Sequence, residues 1–158
     1  MTSLDANILL YSFSEASPHH IAARAFLKSL SQCEDVAPSG FVLSEVYLHL
    51  RNPVVLEVPL TPADAVAVIQ SYREHPLWHV VGFPRRTRDV QNALWKGATA
   101  VDFAGRGIYD LGSALCLQAF GVAEFATANV KHFEGVGFAR VWNPFIARIW
   151  YRRSQPCE

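Results

Sequence analysis

Apolar and polar positions alternate along this chain in blocks that read as short strands and longer helices. Ser3-Leu4-Asp5-Ala6-Asn7 begins so close to the amino terminus that a strand there ends at its first polar residue, Asp5. Residues 8–13 then begin a short helix that gives way at 15–17. Ser17-Pro18 is a helix start, with Ser as N-cap and Pro at the first helical position. From 19 to about 30, Ile21, Ala25 and Phe26 share one side, an amphipathic pattern, and His19 and His20 read as solvated first-turn residues. Residues 36–38 read as a strand, and Ser39 caps a helix over 40–50. In that helix Phe41, Val42, Leu43, Val46, Tyr47, Leu48 and Leu50 leave almost no polar face, so it is expected to be largely buried.

The second half repeats the alternation. Thr61-Pro62-Ala63-Asp64 carries a capping signature for a helix to 73, packing through Val66, Ile69 and Tyr72. Residues 78–83 read as a strand, and a basic cluster at 84–88 leads into a helix through 94. After a loop of small residues from 97 to 107, a helix over 108–120 closes at Gly121, with Leu111, Ala114 and Leu115 toward the core. A strand at 122–127, a turn through Phe133-Glu134-Gly135 and a strand at 139–142 complete the pattern, stopped by Asn143-Pro144.

Strands alternating with helices imply an α/β architecture, a mainly parallel sheet covered on both faces. Right-handed crossovers gather the strands' carboxyl ends along one edge, where such folds bind ligands. Asp5 and Asn129 belong near that edge, and Glu45 and Asp110 could lean over it. Each acid also has a structural reading. Asp5 is a favoured N-cap residue, and Asp110 suits the positive end of a helix dipole. Glu45 could pair with an arginine, share a solvent-facing strip with His49, or hold a metal, since an unpaired carboxylate is costly to bury.

Composition narrows the field. The 158 residues, 51% hydrophobic, suit one domain. Lys+Arg and Asp+Glu are equal at 14, so a nucleic-acid partner must be held by local patches or by metal. Cys33, Cys116 and Cys157 match neither a zinc ribbon nor a disulfide framework, which suits a reduced, cytoplasmic setting. The start shows no secretory leader and no apolar run reaches spanning length, so no membrane association is expected.

A resemblance adds to this reading. Leu4-Asp5-Ala6-Asn7-Ile8-Leu9-Leu10-Tyr11, Ser17-Pro18-His19-His20, Ser44-Glu45 with Arg51-Asn52-Pro53, Tyr109-Asp110 with Ala114 and Leu117, Ala126-Thr127-Ala128-Asn129-Val130-Lys131-His132-Phe133 and Trp142-Asn143-Pro144 follow in family order. Over about residues 2–145 the chain resembles PIN-domain ribonucleases, specifically VapC-type toxins of toxin–antitoxin pairs. The resemblance implies a three-layer α/β/α sandwich over 1–144 and an extension at 145–158. It also implies a Mg²⁺- or Mn²⁺-dependent endoribonuclease that leaves a 5′-phosphate and a 3′-hydroxyl. Asp5, Glu45 and Asp110 match the acidic ligands, and Asn7 and Thr127 the supporting polar positions. Asn129 stands where many members have a fourth acid, which leaves three formal charges and favours a single well-held ion. Asp102 reads as a loop residue rather than a ligand.

Transfer, ribosomal or messenger RNA all suit such an enzyme. Arg85, Arg86, Arg88, Arg106 and Lys131 are the candidate phosphate contacts. The expected partners are a cognate antitoxin and a second copy of the chain. In the extension, Ile146, Ile149 and Trp150 make an apolar stripe flanked by Arg148, Arg152 and Arg153, which is folded onto the core, offered to another chain or, as a weaker third reading, used to hold phosphate through the arginines. One rival is a catalytically silent RNA-binding module on the same fold, which Asn129 favours and the three acids oppose. A receiver-like domain fits less well, because residues 78–83 end without the Asp it would need.

Overall fold

The strand β1 (Thr2–Leu4) lies beside β2 (Glu124–Ala126), which lies beside β3 (Arg140–Trp142), and both pairings are parallel. The computed structural model describes residues 1–101, 103–105 and 107–146. Beyond β1 the sheet continues through two parallel bridges, Thr2 to Val36 and Ser39 to Val81. The expected strands at 36–38 and 78–83 are thus reduced to extended segments. Hydrogen bonds still tie them in: the Ala37 N–H donates to the Thr2 carbonyl at 2.9 Å, and the Val81 N–H to the Pro38 carbonyl at 3.0 Å. Pro38 has no N–H to return, so the ladder is interrupted there and resumes at Gly40, whose N–H donates to the Val81 carbonyl at 2.8 Å. Because every pairing is parallel, the carboxyl ends fall on one edge, which carries Asp5, Ser39, Thr127 and Asn143.

Alternation along the extended segments builds a core on each face. Leu4, Val36 and Ala126, with Trp142 against them, join one cluster with residues of α1 (Ala6–Tyr11), α2 (His20–Leu30), α3 (Gly40–Leu50) and α4 (Pro62–Arg73). Their neighbours Ala37 and Phe125, with Val141 and Val81, join the other cluster with Ala114 and Leu117 of α6 (Gly107–Ala119) and Phe133 of α7 (Val130–Phe133). Helix α5 (Thr87–Gly97) packs on α6. The result is the expected three-layer sandwich, with the sheet buried between two helical layers.

Local chemistry explains the helix ends and several departures from expectation. Ser39 Oγ accepts the Phe41 N–H at 3.1 Å, and Thr61 Oγ1 accepts the Asp64 N–H at 3.2 Å while donating to Asp64 Oδ2 at 2.6 Å. Gly121 stops α6 with φ +80°, a conformation that suits glycine. Helix α2 starts later than expected, with His19 at its N-cap and Ser17 Oγ accepting the His19 N–H. A short helix, α7, occupies 130–133, just before the expected turn. The largest difference is at α3. Val42, Leu43, Val46 and Leu50 are buried, but Phe41 and Leu48 are exposed, because α3 meets α1 and α4 without being enclosed by them. In α4 it is Ala65, not Val66, that is buried. In α6 Leu111 and Leu115 are half-buried, and Cys116 and Leu117 take the buried positions beside Ala114.

Phe145, the first residue of the expected extension, stacks on His19 with ring centroids 4.9 Å apart and touches Tyr11. Arg148, Ile149, Trp150, Arg152 and Arg153, together with Asp102 and Arg106, lie outside the described residues. Among the described residues no helix is long and apolar enough to cross a membrane.

Candidate active site

Asp5 follows the last residue of β1 and stands at the N-cap position of α1, with extended backbone angles (φ −76°, ψ 153°). Its side chain does not cap the helix. Instead Oδ2 accepts two hydrogen bonds, from Asn7 Nδ2 at 2.7 Å and Thr127 Oγ1 at 2.5 Å. The sheet register explains the second. Leu4 sits opposite Ala126, and the Asp5 N–H donates to the Ala126 carbonyl at 2.9 Å, so the next residue of each strand meets across the edge. Thr127 is fully buried, and its hydroxyl is saturated. It donates to Asp5 and accepts the Asn129 N–H at 2.9 Å and Asn7 Nδ2 at 3.2 Å. Asn7 Oδ1 in turn accepts the Ala128 N–H at 3.1 Å. Both side-chain donors therefore converge on one carboxylate oxygen, and the backbone N–H groups of Ala6 and Asn7 also draw the carboxyl down.

The other two acids reach the same edge from helices. Glu45 lies in mid-α3 with its side chain 53% exposed, and Oε1 is 3.6 Å from Nε2 of His49 one turn on. Asp110 lies in the first turn of α6, and its Oδ2 is 4.0 Å from Nδ1 of His132 on α7. All three carboxyls are held above the ordinary carboxylate range, and burial is the largest cause for each. The remaining causes link them. The charge of Asp110 pushes Asp5 up, against the lowering pull of the Thr127 hydroxyl. Asp5 and Asp110 both push Glu45 up, against His49, while His132 pulls Asp110 down. Three acids separated by some forty and sixty-five residues thus sit in one another's fields. Among the described residues their ion-pair partners are two histidines, with no lysine or arginine.

Donor chemistry suits a hard divalent cation. The edge offers carboxylate oxygens with no lysine or arginine paired to them among the described residues, and Asp5 is fixed in one orientation by its two side-chain donors. In the side-chain arrangement seen, no three His, Cys, Asp or Glu among the described residues are close enough to hold an ion together. Glu45 is turned toward His49.

The remaining candidates are dispersed around this centre. Asn129 is the exposed N-cap of α7, and no side-chain hydrogen bond commits its amide. Lys131 is exposed on α7, and Arg85, Arg86 and Arg88 are exposed where α5 begins. His132 escaped the sequence reading, because nothing in a spacing of some twenty residues links it to Asp110. The Glu45–His49 spacing, by contrast, is the ordinary contact of a helix turn.

Solved structures share this architecture. FitAcB from Neisseria gonorrhoeae superposes with TM-score 0.65 at 18% identity, covering 93% of this chain and 100% of that one. VapBC2 from Rickettsia felis, bound to a DNA fragment from its promoter, gives 0.62 at 16% over 90% of this chain and 97% of that one. VapC20 of Mycobacterium tuberculosis, a Sarcin-Ricin-loop-cleaving toxin, gives 0.59 at 17% over 79% and 87%. These likenesses define the class of fold, an α/β sandwich of the PIN type. Sequence goes further. Ribonuclease VapC24 of Mycobacterium tuberculosis is 40% identical over 147 residues, 93% of this chain and 99% of the relative, in strains CDC 1551 and H37Rv alike. No protein-family model matches the chain. The chain belongs to the VapC ribonucleases.

Proposed function

We propose that this chain is the toxin of a toxin–antitoxin pair, an endoribonuclease that hydrolyses RNA phosphodiester bonds with one Mg²⁺ or Mn²⁺ held by Asp5, Glu45 and Asp110. The observation that carries the proposal is the mutual repulsion of these three acids at the carboxyl edge of a parallel sheet, without a basic side chain among the described residues to offset it. A divalent cation bound there would neutralise the scissile phosphate and lower the pKa of a water. The chain's own residues supply the geometry. Asn7 and Thr127 hold Asp5 in one orientation, while Glu45 and Asp110 close the pocket from two helices. Asn129 keeps its amide free at the same edge and adds an oxygen without charge. Arg85, Arg86, Arg88 and Lys131 would hold backbone phosphates, with Arg106 as a further candidate. The products would be a 5′-phosphate and a 3′-hydroxyl.

The partner expected is a cognate antitoxin, as in the FitAB and VapBC2 complexes. A homodimer is the proposed assembly of the toxin itself. The test is cleavage of transfer, ribosomal and messenger RNA by purified protein with Mg²⁺ or Mn²⁺ and with EDTA, beside Asp5→Ala and Asp110→Ala. Both variants should fold and be inert, and EDTA should silence the parent. Cleavage by a folded Asp5→Ala protein at the parental rate refutes the assignment.

A further inference from the structure

Two large aromatic rings are left in solvent at the edge that carries the acids. Phe41 is 40% exposed and Phe83 is 67% exposed, and they meet edge to face with centroids 4.9 Å apart at 82°. Phe41 stands one turn before Glu45 on α3, an i, i+4 spacing that puts the two on one face of the helix. Phe83 is fixed from the other side. Its segment is anchored by the parallel Ser39–Val81 bridge, and the Gly40 N–H donates to the Val81 carbonyl at 2.8 Å. Phe83 therefore emerges at the carboxyl end of its extended segment, on the edge that also carries Asp5 and Thr127. Exposed Arg85 and Arg86 follow after Pro84, with Arg88 in the first turn of α5, and none of the three has a carboxylate partner among the described residues.

We propose that Phe41 and Phe83 form a stacking platform for an unpaired nucleobase of the RNA substrate next to the scissile bond, with Arg85 and Arg86 on the adjoining phosphates. This rests on the ribonuclease reading above and deepens it. Every base has a π-face, so exposed aromatic rings flanked by cations form a general site for single-stranded nucleic acid. An edge-to-face pair leaves a broad face of one ring free to receive a base while its neighbour holds it in place. The basic cluster decides against a second copy of this chain as the occupant. In a two-fold interface centred on the ring pair, Arg85, Arg86 and Arg88 would be drawn toward their own symmetry mates, whereas a polyanion neutralises them. The platform implies that cleavage favours loops, bulges or frayed ends over duplex, since a paired base cannot leave its stack to reach the rings.

The experiment uses a short single-stranded RNA carrying 2-aminopurine and reads its binding by fluorescence in the Asp110→Asn background, which holds substrate uncut. Phe83→Ala is expected to weaken binding about tenfold in that background and, in the otherwise unaltered protein that still cleaves, to raise KM with little change in kcat. Phe83→Trp should restore binding, whereas Phe83→Leu, apolar but not aromatic, should not; Phe41→Ala should weaken binding as well. Sedimentation and thermal melting of each variant run alongside. Binding unchanged in Phe41→Ala and Phe83→Ala overturns the platform while leaving the ribonuclease reading intact if the parent still cleaves. Unchanged RNA binding with an altered oligomeric state assigns the rings to a copy interface and overturns it equally. A parent that neither binds nor cleaves RNA removes both proposals together.

Discussion

Asp5→Asn separates the charge of the pocket from its shape. Asn7 and Thr127 both donate to one oxygen of Asp5, so an amide oxygen at that place keeps both hydrogen bonds. The NH₂ then replaces the second oxygen, and the negative charge is lost. In the metal-free protein Asp5, Glu45 and Asp110 all titrate above their ordinary values, which are 3.8 for Asp and 4.5 for Glu. A carboxyl with a raised folded-state pKa contributes stability that is full below its unfolded pKa and is lost as pH rises through the folded value. At neutral pH the ionised trio therefore weakens the fold. Each unit of upward shift corresponds to about 1.4 kcal/mol. Asp5, the most enclosed of the three, carries that cost most fully; the half-exposed Glu45 is screened and carries less. In EDTA at neutral pH, Asp5→Asn should thus stabilise the protein by on the order of 1 kcal/mol, about 2–4 °C in Tm for a chain of this length. The gain should fade toward about pH 4, where the parental carboxyls are protonated. Adding Mn²⁺ should raise the parental Tm and leave the variant's unmoved. Calorimetry across this pH range decides the matter. A variant less stable than the parent at neutral pH without metal, or a gain independent of pH, would show that the acids do not share one field.

Two further outcomes follow from the supporting structure. Thr127→Val keeps the buried shape but strands the Asn129 N–H and removes the donor that lowers the Asp5 pKa. It should cost about 1–3 kcal/mol in denaturant unfolding and move the half-point of Mn²⁺ binding to higher pH, because protons then compete more strongly for Asp5. Ser39→Ala removes the α3 cap and should cost about 1–2 kcal/mol by the same unfolding measurement.

The architecture was legible because the period of the hydrophobic pattern survives folding. Leu4, Val36, Ala126 and Trp142 on one face, against Ala37, Phe125 and Val141 on the other, repeat the alternation seen along the chain. What the pattern could not show was how long each ladder runs. That depends on partners distant in sequence and on Pro38, which looks strand-compatible until its missing N–H is counted. Helix α3 misled for a related reason: periodicity reports apolar residues, not the neighbours that cover them, and Phe41, covered only in part by Phe83, and Leu48 stay exposed. At the site, the opening stretch by itself favoured Asp5 as a helix cap. The register of β1 against β2 instead brings Thr127 to its carboxylate, a pairing that no local pattern shows.

The same contacts explain how a small fold keeps three acids together without collapsing its edge. Burying unpaired carboxylates is costly, and a protein ordinarily meets that cost with a guanidinium or an ammonium. The chain has 14 lysines and arginines, yet among the described residues none pairs with Asp5, Glu45 or Asp110. The cost is instead divided. Asp5 keeps its charge enclosed by accepting two hydrogen bonds on one oxygen, and Glu45 and Asp110 stay half in water beside imidazoles that are only weak counter-ions. A fixed arginine would have stabilised the folded chain more and occupied the carboxylate oxygens. The histidines, 3.6 and 4.0 Å from Glu45 and Asp110, lower those two carboxyls only in part, since burial still holds both above the ordinary range. A divalent cation at this edge, as proposed, would meet carboxylates that no lysine or arginine among the described residues pairs with.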